Sequence, residues 1–534
     1  MAGQLKKIET QLLIIGGGAT GAGIFRDAAK RGISTVLVEK KDYATGTSGR
    51  NHGLLHSGAR YAVKDPVSAE ECITENTILK KIASSVVEDT GGYFIALDDS
   101  DLEYSELLIP ALGKSGIPHE EVTLESGLKQ EPHLHPEVKR IIRVPDGSVD
   151  PFRLAIMNIK DGEAHGQTAM NYTEVVDSRI HEGVIEWVKV KNHFDNEEIL
   201  IYPEFVVNAS GPWADVTAGR LHATMKMKPS MGVMVILDHR VVNHVINRMR
   251  MPADGDIIVP GDTVSIIGTT SRPVEYHELD HLKATPEEIY RMIQDAEKLV
   301  PRFASSRMLR HYSGARPLPD VGKSGREVSR NFLIKDHGQE NEPRNLFSIT
   351  GGKLMTYRQM AEKMTNIIAM RLGNSNICRT ATDELPPVKK SKIKIPEILK
   401  NNYGIQQGYQ RQGDPFLEKI HGKQETFLVC ECEMITNAEI EYVVETNKVK
   451  RLTDIRRRTR LGMGPCQGTL CSVRTMEIAG IKERPLAEKE TMLREFTQER
   501  WRGVRNVLWG DTLRNEEFAM WLYSGIFGWK ANEV

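Results

Sequence analysis

The first clear pattern is a continuous apolar run, "TQLLII" at 10–15, which is of strand length. "GGGATG" follows at once. It leads into "AGIFRDAAKRG", whose alanines and spaced charges predict a helix that stops at Gly32. A second apolar strand, "STVLVEK", then delivers Glu39. Farther on, "LFSIT" at 346–350 predicts another buried strand. The segment after it sets Met360, Met364, Ile367 and Ile368 at the spacing of a helix's core face. After Gly373 the pattern lapses: residues 386–415 are rich in Lys, Gln, Pro and Gly and read as a linker. Beyond it, aromatic residues concentrate in the tail, which holds four of the six tryptophans.

Gly16, Gly18 and Gly21 form G-x-G-x-x-G between strand and helix, the setting the motif requires for a dinucleotide. The first glycine allows the tight turn, the second lets backbone approach a pyrophosphate, and the third packs helix on strand. The helix N-terminus adds free N–H groups and partial positive charge. Glu39 is placed to accept from a ribose hydroxyl. The following segment, "ATGTSGRNHGLLHSGARY" at 44–61, is polar and glycine-rich, which suits a loop lying along FAD rather than the next apolar helix of an NAD fold.

These residues resemble the FAD-dependent glycerol-3-phosphate dehydrogenases of the D-amino-acid-oxidase-like superfamily. "VPDGSVDPFRL" at 144–154, "FVVNASGPWAD" at 205–215, "IIGTTSRP" at 266–273, "YSGARPLPD" at 312–320 and "LFSITGGKLMTYRQMAEKM" at 346–364 continue the likeness in order. The resemblance implies FAD contacts from Gly16, Gly18, Ala19, Thr20 and Gly21, from Glu39 and Lys40, and from Thr47, Ser48 and Asn51. It adds Ser210, Gly211, Gly351, Gly352, Lys353 and Leu354. Arg60, Tyr61 and Arg316 are expected to grip the substrate, with Arg358 as a further cation and Lys353 beside the reacting hydroxyl or the flavin edge. Arginine suits a phosphomonoester because its fork binds phosphate through two hydrogen bonds. The candidates for proton acceptor are His56 and His52 of the same loop, His56 first, with holding the loop by hydrogen bonds as the alternative for either. The loop departs from the aerobic relatives in carrying Gly53 where they carry lysine. His133, His135, His277 and His281 read as loop histidines rather than metal ligands.

Four of the six cysteines, Cys430, Cys432, Cys466 and Cys471, make a C-x-C…C-x4-C set. Four thiolates hold either tetrahedral zinc or an iron–sulfur cluster, and C-x-C is unusual for structural zinc. The stretch that includes "LTDIRRRTRLGMGPCQGTLC" at 452–471 resembles the [2Fe-2S] domain of bacterioferritin-associated ferredoxin, with zinc kept open as the alternative. The basic run Lys448 to Arg460 is expected to offset cluster charge, dock a partner, or form a solvated face.

The predicted class is therefore α/β: an FAD-binding Rossmann-type domain interleaved with a mixed α+β substrate domain over 1–375, and a linker at 376–425. A small helical iron–sulfur domain with four cysteine ligands at 426–478 and a helical tail at 479–534 complete it, the tail offering a partner surface. Taken together, the segments resemble the catalytic large subunits of the anaerobic branch of that dehydrogenase family. That resemblance implies oxidation of sn-glycerol 3-phosphate to dihydroxyacetone phosphate, with electrons leaving through the cluster. Implied partners are a second soluble flavoprotein subunit, together with a membrane-associated iron–sulfur subunit that reduces quinone, and FMN on the assembled complex is compatible with it. Two alternatives stay open: a same-fold flavin enzyme acting on a 2-hydroxy acid or amino acid, and an electron-transfer or metal-sensing subunit with an inert flavin site.

A formal net charge of −1 gives no overall field toward nucleic acid, and no aromatic platform is interleaved with the basic run. No apolar stretch nears the roughly 20 residues that span a bilayer, and the N-terminus does not read as a signal peptide. The expected location is cytoplasmic, peripheral on the inner membrane face through partner subunits.

Overall fold

A computed structural model describes residues 5–320, 322, 331–386, 426–447, 449–478 and 480–529. Most of the expected linker, and Lys448 of the basic run, lie outside the described residues.

The glycine-loop region forms as its pattern predicts. Strand Lys6–Ile15 pairs in parallel with Thr35–Val38 on one side and with Glu198–Asn208 on the other. Leu346–Gly351 adds in parallel to Glu198–Asn208, and Thr168–Met170 to Thr35–Val38, within an eight-stranded sheet. The apolar run is continuous because both faces are covered. Leu12 and Ile14 enter one core with Phe25, Met360, Met364 and Ile368, while Leu13 and Ile15 enter another with Val188 and Leu221. The helices Ala19–Lys30 and Tyr357–Arg371 pack together on the first face, so the methionine and isoleucine stripe is core.

A second sheet of nine mostly antiparallel strands supplies the substrate half. Its strands come from chain segments that lie between strands of the first sheet. Strand Met308–Arg316 pairs along most of its length with Ser230–Leu237, and this brings Arg316 to the junction of the two sheets.

The cysteine segment and the tail share one core. Val429, Ile435 and Ile455 pack with Phe496 of helix Leu486–Val504 and with Ala519 and Tyr523 of helix Gly510–Phe527. Trp529 is buried there, whereas Trp521 remains 72% exposed.

This C-terminal body is docked by buried charge. Asp42 Oδ2 accepts from Arg457 Nε at 2.8 Å and from Arg458 Nη1 at 2.7 Å, and its Oδ1 accepts from Arg458 Nη2 at 2.9 Å. Asp454 takes Arg457 Nη2 at 2.8 Å and the Tyr172 hydroxyl at 2.6 Å. Arg460 spans Glu433 and Asp262 at 2.9 and 3.0 Å. The described arginines of the basic run between 456 and 460 are thus buried partners of carboxylates within this chain, and not a solvated face. Burial pushes the Asp42 carboxyl up, but Arg458 and Arg457 outweigh it and hold the group well below the usual carboxylate range.

Breaking a buried ion pair from one side leaves uncompensated charge and costs about 3–5 kcal/mol. Asp42→Asn should therefore loosen the C-terminal body selectively. Chemical denaturation followed by cluster absorbance and by FAD fluorescence is expected to show the cluster transition moved to lower denaturant by that amount.

Candidate functional site

A groove of about 750 Å³ runs along the C-terminal end of the parallel sheet and ends at the second sheet. Its first part is a cradle that only glycine permits. Gly16 has φ +116, and a Cβ there would lie 2.5 Å from the Ala209 carbonyl oxygen. At Gly21 a Cβ would meet the Gly16 oxygen at 1.9 Å, so this residue packs helix against loop and does not line the groove. Gly18, Ala19 and Thr20 do line it. Ser48 Oγ accepts from the Ala19 N–H at 2.8 Å, which ties the second loop to the helix start.

Glu39 lines the groove with its carboxylate already held by two backbone N–H groups, Gly17 at 2.8 Å and Lys41 at 2.9 Å. Burial pushes its pKa up and these two N–H groups pull it back. Lys40, Thr47, Asn51, Ser210, Gly211, Gly351, Gly352 and Leu354 also line the groove. Two of these spend their side chains on loop geometry: Asn51 donates to the Ser48 carbonyl at 2.6 Å and Ser210 to Asn208 at 2.6 Å. The donor set and the glycine-only walls fit FAD, with the pyrophosphate at the helix start. Gly53, the departure from the aerobic pattern, has φ +70, and a Cβ would stand 2.8 Å from the Val149 oxygen, so this backbone path has no room for lysine.

At the far end the cations converge. Arg316 donates to the carbonyls of Met231 at 3.3 Å and Thr270 at 2.9 Å and to Thr269 Oγ1 at 3.2 Å. Arg60 lies 3.5 Å from Asp256 and 3.4 Å from Asn247. Lys353 Nζ is buried with no hydrogen-bonded oxygen or nitrogen among the described residues, 4.7 Å above the ring of Tyr61. The Cys72 thiol beside it is pushed up to about 11 by burial, so it stays neutral and offers no counter-charge. Tyr61 and His56 rings stand 5.5 Å apart, and His56 and His52 rings 5.9 Å apart. Burial, then Arg316 and Arg60, push His52 down to about 3, so it is neutral. Its Nδ1 accepts from the Leu54 N–H at 3.2 Å, which assigns its proton to Nε2 and makes it a donor to the groove.

Arg358 requires correction. Its guanidinium turns away from the groove to Glu75, at 2.5 and 2.8 Å, and to Glu362 at 2.7 Å, and it ties two helices together. The sequence reading missed Thr269 and Thr270 as the groups that set Arg316, and Arg50 as a groove residue. The quoted segments contain all three, but no spacing distinguishes them.

The four cysteine sulfurs form a closed ring of mutual contacts. Hydrogen bonds from Cys432 and Cys471 pull Cys430 and Cys466 far down, with help from the N–H groups of Gly462 and Glu433 for Cys430 and of Gly468 and Thr469 for Cys466. Cys432 and Cys471 are pushed up by the same contacts. The donor set, four convergent thiols with backbone N–H groups aimed at sulfur, fits an iron–sulfur cluster.

Residues 11–356 match the FAD dependent oxidoreductase family, and residues 428–479 the BFD-like [2Fe-2S] binding domain. The chain is 44% identical to the A subunit of the anaerobic glycerol-3-phosphate dehydrogenase of Escherichia coli, over 97% of each chain. It is 38% identical to the A1 subunit of the corresponding Haloferax volcanii enzyme, over 95% of this chain and 89% of that one. The glycerol-3-phosphate dehydrogenase structure from Bacillus halodurans, complexed with FAD, superposes with a TM-score of 0.67 at 24% identity, covering 93% of this chain and 95% of that one, and shares the fold. With a flavin cradle, a ring of four thiols and full-length relatives on one polypeptide, the chain belongs to the FAD-dependent oxidoreductases, in the family of the anaerobic glycerol-3-phosphate dehydrogenase A subunits.

Proposed function

We propose that this chain oxidises sn-glycerol 3-phosphate to dihydroxyacetone phosphate and passes the electrons through a [2Fe-2S] cluster to partner subunits and the quinone pool. The observation that carries this reading is the buried Lys353 ammonium, without a counter-charge among the described residues, set with Tyr61, Arg60 and Arg316 at the end of the flavin groove. A buried cation with no counter-charge is costly, and an oxyanion or phosphate of the substrate relieves it.

Bound FAD supplies the hydride acceptor. Arg316, held by three oxygen acceptors, and Arg60 take the phosphate. Lys353 donates to the substrate hydroxyl oxygen and stabilises negative charge as its proton leaves. His56 takes that proton while the hydrogen on the same carbon departs with its electron pair. His52, neutral, donates a hydrogen bond without adding a third repelling charge to the arginines.

The cluster supplies a one-electron exit held by Cys430, Cys432, Cys466 and Cys471. Exposed Phe427, Leu428 and Leu470 beside these cysteines, and Phe518, Trp521 and Ile526 on the last helix, support docking of further subunits. A second soluble flavoprotein subunit, together with a membrane-associated iron–sulfur subunit, fills that role in this reading, which places the assembly on the cytoplasmic face of the membrane. Among the described residues no helix is long and apolar enough to cross a membrane.

Anaerobic titration of the FAD- and cluster-loaded protein with glycerol 3-phosphate is expected to bleach the flavin and then the cluster. Persistence of the oxidised flavin spectrum, or bleaching only by a 2-hydroxy acid or amino acid, overturns the assignment. Arg316→Ala should lower kcat/KM by about 10–100-fold, mainly through KM, with FAD retained, since charge-assisted hydrogen bonds are worth about 1.5–3 kcal/mol. Lys353→Met should slow flavin bleaching by about 100–1000-fold in stopped flow. In Cys466→Ser, bleaching should proceed at the normal rate while electron delivery to an external acceptor stops.

A further inference from the structure

A buried carboxylate, Asp256, faces Arg60 from the turn that walls one side of the substrate end. Strands Val245–Arg248 and Ile257–Gly261 pair antiparallel, and the turn between them sets Met251, Pro252 and Ala253 on the groove wall. The turn is pinned at both ends. Arg248 Nε donates to Asp101 at 3.0 Å, and at Gly255, with φ +69, a Cβ would stand 2.7 Å from Asp295 Cβ of helix Pro286–Leu299. Asp256, 1% exposed, holds the turn together: its Oδ1 accepts from Arg250 Nε at 2.8 Å and Nη2 at 2.5 Å, and its Oδ2 from the Ala253 N–H at 2.6 Å. Burial pulls the Arg250 guanidinium down, but Asp256 outweighs it and raises the group.

The reach from Asp256 to Arg60 is longer. Arg60 Nη2 lies 3.5 Å from Asp256 Oδ2, and Arg60 Nη1 donates to Asn247 Oδ1 at 3.4 Å. Charge-assisted bonds of this type close to about 2.7–2.9 Å when nothing competes. Here Arg250 and the Ala253 N–H compete, one at each carboxylate oxygen. Asn247 is fixed in turn, since its Nδ2 donates to buried Asp146 at 3.2 Å. The backbone that carries Arg60 is set as well: at Gly58, with φ +98, a Cβ would meet the Ala69 oxygen at 2.4 Å.

A carboxylate closed on Arg60 would neutralise it and repel a phosphate dianion, whereas with no acid beside it the guanidinium fork would have no preferred direction. A carboxylate whose charge is spent on Arg250 does neither. We infer that Asp256 is a positioning residue: by holding Arg250 and the turn tightly and Arg60 loosely, it aims the Arg60 guanidinium at the substrate end without neutralising it, and so raises affinity for a dianionic substrate. The inference rests on the assignment of the substrate phosphate to Arg60.

The test uses the full chain loaded with FAD and cluster, mixed anaerobically with glycerol 3-phosphate in stopped flow, so that the apparent Kd and the limiting rate of flavin bleaching are read separately. Arg60→Ala should raise the Kd by about tenfold or more. Asp256→Asn keeps an acceptor for the Ala253 N–H but loses the charge, and should raise the Kd by about five- to tenfold with the limiting rate changed by less than about twofold. Arg250→Gln, which frees Asp256 to close on Arg60, should raise it to a similar extent. In the Arg60→Ala background each of the two should add less than about twofold, because their effect runs through that residue. FAD and cluster absorbance are the control for folding, and should Asp256→Asn lose either, the Arg250→Gln cycle decides. Losses that add in the double variants overturn the inference. Wild-type affinity in Asp256→Asn or in Arg60→Ala does the same, as does tighter binding in Asp256→Asn, which would make the carboxylate a counter-charge only. Glycerol 3-phosphate that leaves the wild-type flavin oxidised overturns the substrate reading and this inference together, whereas bleaching with additive losses overturns this inference alone.

Discussion

The buried carboxylate of Asp42 between Arg457 and Arg458 is the interaction on which the two-centre arrangement depends. Asp42 stands three residues after Glu39, on the loop that continues through Thr47, Ser48 and Asn51 along the flavin groove. The same short segment therefore holds the cofactor cradle and anchors the body that carries the four cysteines. Fully buried charges give little net stability once desolvation is counted, but removing one partner is severe. Such a network acts as a register device: it penalises every docked geometry except the one in which all its members are paired. Electron transfer weakens steeply with distance, so a fixed geometry between the centres serves function more directly than added stability would.

The groove follows the opposite electrostatic logic. Arg316 donates to neutral oxygens, Arg60 lies beside one carboxylate, and Lys353 has no counter-charge among the described residues, so positive charge gathers at this end of the groove. That field would repel a protonated imidazole, and burial beside the two arginines keeps His52 neutral. The site thus gains hydrogen-bond donors without gaining charge. In the docking network every described arginine from 456 to 460 has a carboxylate within reach; in the groove Lys353 has none among the described residues.

Much of this could be read in the chain because it is local. The glycine loop, the two strands around it and the methionine stripe are set by neighbours within a few tens of residues, where turn geometry and periodicity are decisive. Arg358 shows where such reading ends. It follows Lys353 closely, but the helix turns it toward Glu75, some 280 residues earlier, which no spacing reveals. For the basic run only the solvated-face alternative fails, and for the same reason: carboxylates that bury it, Asp42 and Asp262, lie far away in sequence. The tail, where aromatic residues concentrate, reads as a segment of its own, yet Phe496, Ala519 and Tyr523 complete the core around the cysteines. The cysteine set itself is fully legible, since thiols in that number and order have few other uses in a chain otherwise poor in them.

The cysteine site has two unlike sides, which gives the electron path a direction. On the inner side, Gly464 fits so closely between Cys432 and Thr263 of the second sheet that a Cβ would stand 2.5 Å from Cys432 Cβ, and Arg307 donates to the Pro465 carbonyl at 2.9 Å. That side is closed by the chain's own contacts. On the outer side, Phe427, Leu428 and Leu470 are 53, 41 and 43% exposed, and Arg474, ion-paired to Glu431, feels the charge of Cys471 and Cys466. An apolar rim with one cation close to a thiolate-ligated centre suits a transient or lasting protein contact better than open water does, because desolvating the rim is favourable and the cation tempers the cluster's negative charge. Among the described residues this exposed rim is built from residues that the flavin half does not use.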